Sequence, residues 1–167
     1  MPPVTAFFIM SIFAAGWWWV HSAGEYERKR LRRMVEGLAP TYAQELHQLG
    51  HECITAETSP DDPIYLNLIE AQIAWQRVNP AVADIYTFGR CDDGRVVLLV
   101  DSETDYDRNG RYEGDREMRT LIGEEYEADS TLLRAFEGVS MFDDHPYEDR
   151  WGVWVSAYVP MFSATGE

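Results

Sequence analysis

Asp105-Tyr106-Asp107-Arg108-Asn109-Gly110 sets carboxylate and amide oxygens at alternate residues and then a glycine. This is the first half of a calcium loop of the D-x-[DN]-x-[DN]-G type: the side chains fold around one ion and the glycine permits the sharp turn. Calcium takes about six to eight oxygens. The side chains of Asp105, Asp107 and Asn109 and the carbonyl of Arg111 supply part of that shell. The twelfth position, a bidentate glutamate in an EF-hand, is Arg116. Glu113 or Glu117 must therefore substitute, and Asp101 and Glu103 lie close in the chain. The candidate metal set is Asp105, Asp107, Asn109, Arg111 and Glu113, with Ca2+ as the ion. The competing reading is a solvated acidic turn.

A second constellation falls on the last strand-like run, Trp151 to Pro160. There Trp154, Ser156 and Tyr158 alternate with Trp151, Val153, Val155 and Ala157, so the first set shares one face. With Tyr86 and Arg90 from an earlier strand and Tyr126 from a loop, these residues are expected to line a small-molecule pocket, since aromatic walls with a few polar groups suit one. They equally fit a helix-covered core. His47 and His51, four apart, are expected to share a helix face. That spacing can chelate zinc, but no HExxH or CxxCH surrounds them and no third ligand is evident, so packing or capping is favoured. The motifs G-x-S-x-G and G-x-x-x-x-G-K are missing, and this fragment reads as non-enzymatic.

These residues need elements to position them. The first 24 residues carry no formally charged side chain, and Val4 to Val20 is apolar. About 20 helical residues cross the hydrocarbon core of a bilayer, and Trp17, Trp18 and Trp19 suit its interface. A signal peptide fits less well, because there is no basic n-region and three tryptophans make a poor approach to a cleavage site. Glu25–Arg33 then holds five basic and two acidic residues, while Asp101–Glu167 holds 17 acidic and 6 basic, a net of −11 out of −15. Such an acidic domain repels phosphate backbones, so nucleic acid is excluded as a partner and cations are favoured. Positive-inside logic puts Arg28 to Arg33 in the cytoplasm. Cys53 and Cys91 are too few for a disulfide framework; ordinary buried thiols are favoured, and pairing stays open.

Leu31, Val35, Leu38, Tyr42, Leu46, Leu49 and Cys53 recur at helical spacing, with a kink or break expected near Ala39 because Pro40 lacks an amide hydrogen. The Leu31/Val35/Leu38 side is expected to pair with the same helix of a second subunit, giving a homodimer. A second helix is expected over Ile64–Val78, with Tyr65, Leu66, Ile69 and Ile73 inward and Asn79-Pro80 as its stop. Strands are expected over Asp84–Cys91 and Arg95–Asp101 around the turn Asp92-Asp93-Gly94. A long polar loop (102–123), a helix over Ser130–Glu137 capped by Asp129 and closed by Gly138, and strands at Ser140–Phe142 and Trp151–Pro160 complete the order. Thr165-Gly166 reads as a hairpin turn lacking its second strand, hence a truncated protein. The fold class is α+β with an antiparallel sheet.

This order resembles the extracytoplasmic PAS-like sensor domains of the Cache (PDC) superfamily, found in bacterial sensor histidine kinases, diguanylate cyclases and chemoreceptors. The pieces are His51 ending the first helix, Asp62-Pro-Ile-Tyr65, Asn79-Pro80 before Ile85-Tyr-Thr87, and Val100-Asp-Ser-Glu103. Ile122-Gly-Glu-Glu-Tyr126 and Asp149-Arg-Trp-Gly152, leading into Val155–Pro160, follow. Pro40, both cysteines and the missing last strand depart from the pattern. The resemblance implies a transmembrane helix (1–24), a helical stalk (25–44) and a PAS-like domain (45–167) outside the inner membrane. It implies the ligand- or ion-sensing input domain of a signal-transduction receptor, with a kinase or cyclase output beyond. The alternatives are a membrane-anchored cation-binding module without signalling and a small surface hydrolase.

Overall fold

A computed structural model of the chain describes residues 3–107, 109–114, 117–143, 145–148 and 152–162. It divides into two compact units, residues 1–37 and 38–167.

Every described residue of the first unit is helical. They belong to helix α1, Pro3–Gln48, which runs on past residue 37. Phe7, Phe13, Trp17, Trp18, Trp19 and Val20 are exposed. The helix is long and apolar enough to cross a membrane, and no part of its apolar window is buried in protein.

Pro40 does not break the helix. Proline removes only the bond to the carbonyl four residues back. Glu36, Gly37 and Pro40 are exposed, so water reaches that carbonyl. The helix stops at Gln48, short of Cys53. Gly50 takes φ 94°, which ends the helical path, and a single 3-10 turn (His51–Cys53) follows.

The second unit is α+β. Its core joins Leu46 and Ile54 to Tyr65, Leu68 and Ile69 of helix α2 (Pro63–Val78) and to Val97, Leu99 and Val100 of the sheet. Each fully buried side chain of this size is worth ~1.5–3 kcal/mol. Asp62 starts α2 by accepting the amides of Ile64 (2.8 Å) and Tyr65 (3.1 Å) on Oδ1. At the other end Asn79 Nδ2 donates to the Tyr42 hydroxyl at 2.8 Å, and Tyr42 stacks on Trp75 with centroids 4.8 Å apart. The inward face of α2 is Tyr65, Leu68, Ile69 and Gln72, with Ile73 partly covered; Leu66, expected inward, is exposed. The helical phase centres on Leu68–Gln72 rather than on Leu66.

Strands β1 (Tyr86–Arg90) and β2 (Val96–Asp101) pair antiparallel with a register shift between Thr87 and Phe88. Gly94, at φ 87°, closes the turn between them. The segment 123–126 lies along the other edge of β2, with Gly123 N–H to Leu98 O at 2.8 Å and Tyr126 N–H to Val96 O at 2.9 Å. Helix α3 (Ser130–Ala135) is capped by Asp129 and ends earlier than the expected Glu137. Two short ladders follow: β3 (Met141–Phe142) with β6 (Ala157–Tyr158), and β4 (Tyr147–Glu148) with β5 (Val153–Trp154). The expected single strand Trp151–Pro160 is thus two strands with different partners, and Trp151 lies outside the described residues, as do Thr165 and Gly166. No closed barrel forms among the described residues.

Candidate functional site

Between Asp101, where β2 ends, and the isolated bridge at Glu125, no described residue lies in a helix or strand. What orders it is side chain to backbone. Asp105 accepts the amides of Asn109 (3.0 Å) and Gly110 (2.8 Å), one on each carboxylate oxygen. Asp107 accepts the Asn109 amide on Oδ1 (3.0 Å) and the Asn109 Nδ2 on Oδ2 (2.9 Å). Asn109 Oδ1 accepts the Arg111 amide at 2.7 Å. Gly110, at φ 80°, takes the left-handed conformation that the turn requires.

Glu117 closes the ring. It is 8% exposed, and its Oε1 accepts the amides of Tyr106 (2.8 Å) and Asp107 (3.1 Å). One oxygen each from Asp105, Asp107 and Glu117 lies within 4.8 Å of the others. Three ionised carboxylates this close repel one another, and a hard divalent cation among them offsets that repulsion. Of the two acids that could complete the shell, Glu117 is the one whose carboxylate lies beside Asp105 and Asp107. Glu113 is exposed, with its carboxylate 4.0 Å from the Arg111 guanidinium. Asn109 spends its side chain on the turn but keeps a lone pair on Oδ1. Arg116 lies outside the described residues.

Beside Glu117 is a water-sized polar cleft lined by Asp84, Asp101, Ser102, Thr104, Tyr106 and Met118. Asp84 Oδ1 accepts the Ser102 hydroxyl at 2.6 Å and the Ile85 amide at 2.9 Å. Asp101 Oδ2 takes the Thr120 hydroxyl, while its buried Oδ1 has no hydrogen-bond partner among the described residues. Burial, and then the charge of Asp84, push the Asp101 carboxyl up to about 7. Glu103 pairs with Arg119, whose Nε is 2.9 Å away, and Arg119 sits 5.7 Å from the centre of the Tyr65 ring. The loop is therefore fastened to α2 as well as to β2.

Of the residues expected to line an aromatic pocket, Tyr86, Tyr126 and Tyr158 gather in one cluster of rings. Phe88 is its centre: Tyr86, Tyr126 and Tyr158 lie 5.3, 4.8 and 6.4 Å from it, centroid to centroid. Alternation along β1 puts Phe88 on the side of Tyr86 and Arg90, which was the available signal. The Tyr86 hydroxyl meets Ser156 Oγ at 2.8 Å. Burial raises the Tyr86 phenol well above its usual range, with Tyr158 adding to this, and burial raises Tyr158 as well. Trp154 is placed apart, 6.0 Å from Tyr106, and Arg90 is exposed at the end of β1.

His47 and His51 do not share a helix face, because Gly50 intervenes. His47 stays exposed on α1. His51 is buried in the 3-10 turn with Nε2 2.7 Å from Thr87 Oγ1, which in turn accepts the Val100 amide at 3.1 Å. Burial, and then the charge of His47, hold the His51 imidazole down at about 4, so it is a neutral packing group that ties this turn to β1. Cys53 and Cys91 are free thiols.

No protein-family model, curated protein or solved structure matches the chain.

Proposed function

We propose that the chain is the extracytoplasmic, PAS-like input domain of a membrane-bound receptor, and that it senses a divalent cation at the acidic loop. The observation that carries this reading is the convergence of Asp105, Asp107 and the buried Glu117. The Tyr106 and Asp107 amides compensate part of the buried Glu117 charge, and a cation among the three carboxylates would offset their remaining repulsion. Here burial and backbone amides hold Glu117 in place. The loop hangs from β2 and reaches α2 through Arg119, so ordering it bears on the element that packs against the sheet. The Cache-like role rests on the order of helix, helix, hairpin, loop and short strands. The apolar helix supplies the anchor, and its Leu31/Val35/Leu38 side supplies a homodimer contact.

Affinity should be weak, on the order of 10⁻⁴–10⁻³ M, as in extracellular calcium modules. A ligand that binds only the folded state stabilises it by RT ln(1 + [L]/Kd). Thermal melts of the full chain should therefore shift upward in millimolar calcium relative to chelator, and Asp107→Ala should abolish the shift. Coincident curves, or an Asp107→Ala variant with the full response, would leave only the solvated turn.

Placement outside the cell runs against the basic stretch Arg28–Arg33, so it needs its own test. Cys53 is exposed and free. A membrane-impermeant maleimide should label it in intact spheroplasts. Labelling that appears only after permeabilisation would place the domain in the cytoplasm and end the extracytoplasmic reading.

A further inference from the structure

We infer that one face of α1, just beyond its apolar segment, binds the headgroups of anionic lipids through Lys29 and Arg33. The inference rests on the membrane-spanning reading of α1. The stretch 25–36 contains five cations and three acids, and the acids are taken up locally. Glu25 pairs with Arg28 at 2.9 Å, Glu27 with Arg30 at 3.3 Å and Glu36 with Arg32 at 2.8 Å. Lys29 and Arg33 are exposed and have no acidic partner among the described residues. The Arg33 Nε instead donates to the Lys29 carbonyl at 3.3 Å.

These two cations are placed, not scattered. At 3.6 residues per turn, Trp18, Ser22, Tyr26, Lys29 and Arg33 fall within about 80° of the helix circumference. Trp18 and Tyr26 are each 63% exposed. Counted at ~1.5 Å per residue from Gly24, Lys29 and Arg33 lie about 7 and 13 Å beyond the uncharged segment, within reach of headgroup phosphates by their long stems. The stripe therefore reads in order as interfacial indole, interfacial phenol and two cations without an acidic partner among the described residues. That order complements a bilayer surface bearing negative charge. Leu31, Val35 and Leu38 project from the opposite side of the helix, so a lipid-facing stripe and a helix-pairing seam do not compete.

The test is native mass spectrometry of the full-length protein released from nanodiscs of phosphatidylcholine with about one-third phosphatidylglycerol. Each juxtamembrane cation contributes roughly a fivefold preference for anionic lipid. Wild type should therefore retain phosphatidylglycerol over phosphatidylcholine by about tenfold or more beyond the bulk ratio. K29Q/R33Q should fall to within about twofold of bulk, and K29R/R33K should behave as wild type. R77Q/R134Q, which removes the same charge from exposed sites in the second unit, should also keep the preference. No enrichment in wild type, or enrichment that survives K29Q/R33Q, overturns the inference. Failure of the protein to enter nanodiscs at all overturns the membrane reading first, and the inference with it.

Discussion

Asp101 and His51 titrate in opposite senses, and their balance sets how the second unit responds to pH. His51 is held at about 4 in the fold against 6.5 in the open chain. The unfolded state binds the extra proton between those values, so this group's contribution is complete above about pH 6.5 and is lost as pH falls toward 4. A shift of that size corresponds to ~3 kcal/mol. Asp101 is raised to about 7 against 3.8. There the folded state holds the proton, so stability falls as pH rises from about 4 to 7 and stays low above it. Asp101→Asn keeps an acceptor for Thr120 and removes the charge. It should raise stability at pH 8 by on the order of 1–3 kcal/mol and leave it nearly unchanged near pH 4, as read by denaturant melts at the two pH values. A gain of equal size at both would assign the effect to packing. Gln72 is fully buried, and neither atom of its amide is hydrogen-bonded among the described residues. Gln72→Met should therefore stabilise by about 1 kcal/mol in the same melts. At this scale the sequence shows which side chains offer oxygens but not which of them converge: Asp105 and Asp107 meet Glu117. Glu117 is one position beyond the EF-hand spacing, and its burial and its two backbone-amide donors, which spacing does not reveal, distinguish it from Glu113.

Elements were legible where local chemistry decides them. Asp62 before an apolar period, Asn79-Pro80 after it, and Asp93-Gly94 between two apolar runs mark α2 and the β1–β2 hairpin within a residue or two. They were illegible where pairing decides: Val153–Trp154 and Ala157–Tyr158 look like one strand until each finds a different two-residue partner. His47 and His51 were placed on one face because helical spacing does not reveal that Gly50 turns to positive φ. Pro40 was expected to interrupt α1, yet solvent supplies what the missing bond would have satisfied. Gly123 gives the sharpest element-scale prediction. It sits at φ 77°, and a Cβ there meets the Ala56 carbonyl oxygen at 3.0 Å, whereas Gly94 at φ 87° faces open space. Gly94→Ala should cost ~1 kcal/mol of backbone strain. Gly123→Ala should cost ~1–2 kcal/mol more, because the backbone of residue 56 must move and the 123–126 edge of the sheet loosens with it. Equal losses in chemical denaturation would show that this contact is slack.

For the whole molecule, charge and hydropathy carried the organisation: an uncharged exposed helix, a basic segment and an acidic α+β unit follow directly from composition. The ligand did not follow, because affinity depends on how a loop without regular structure folds back on itself. The account stands or falls on that loop. Isothermal titration of calcium into the full chain in nanodiscs of zwitterionic lipid, with Glu117→Gln alongside, tests it most directly. Glutamine keeps the acceptor for the Tyr106 and Asp107 amides and removes only the charge. The wild type should show one saturable site at about 10⁻⁴–10⁻³ M, weakened by tenfold or more in the variant. The absence of saturable binding, or equal affinity in both proteins, would contradict it.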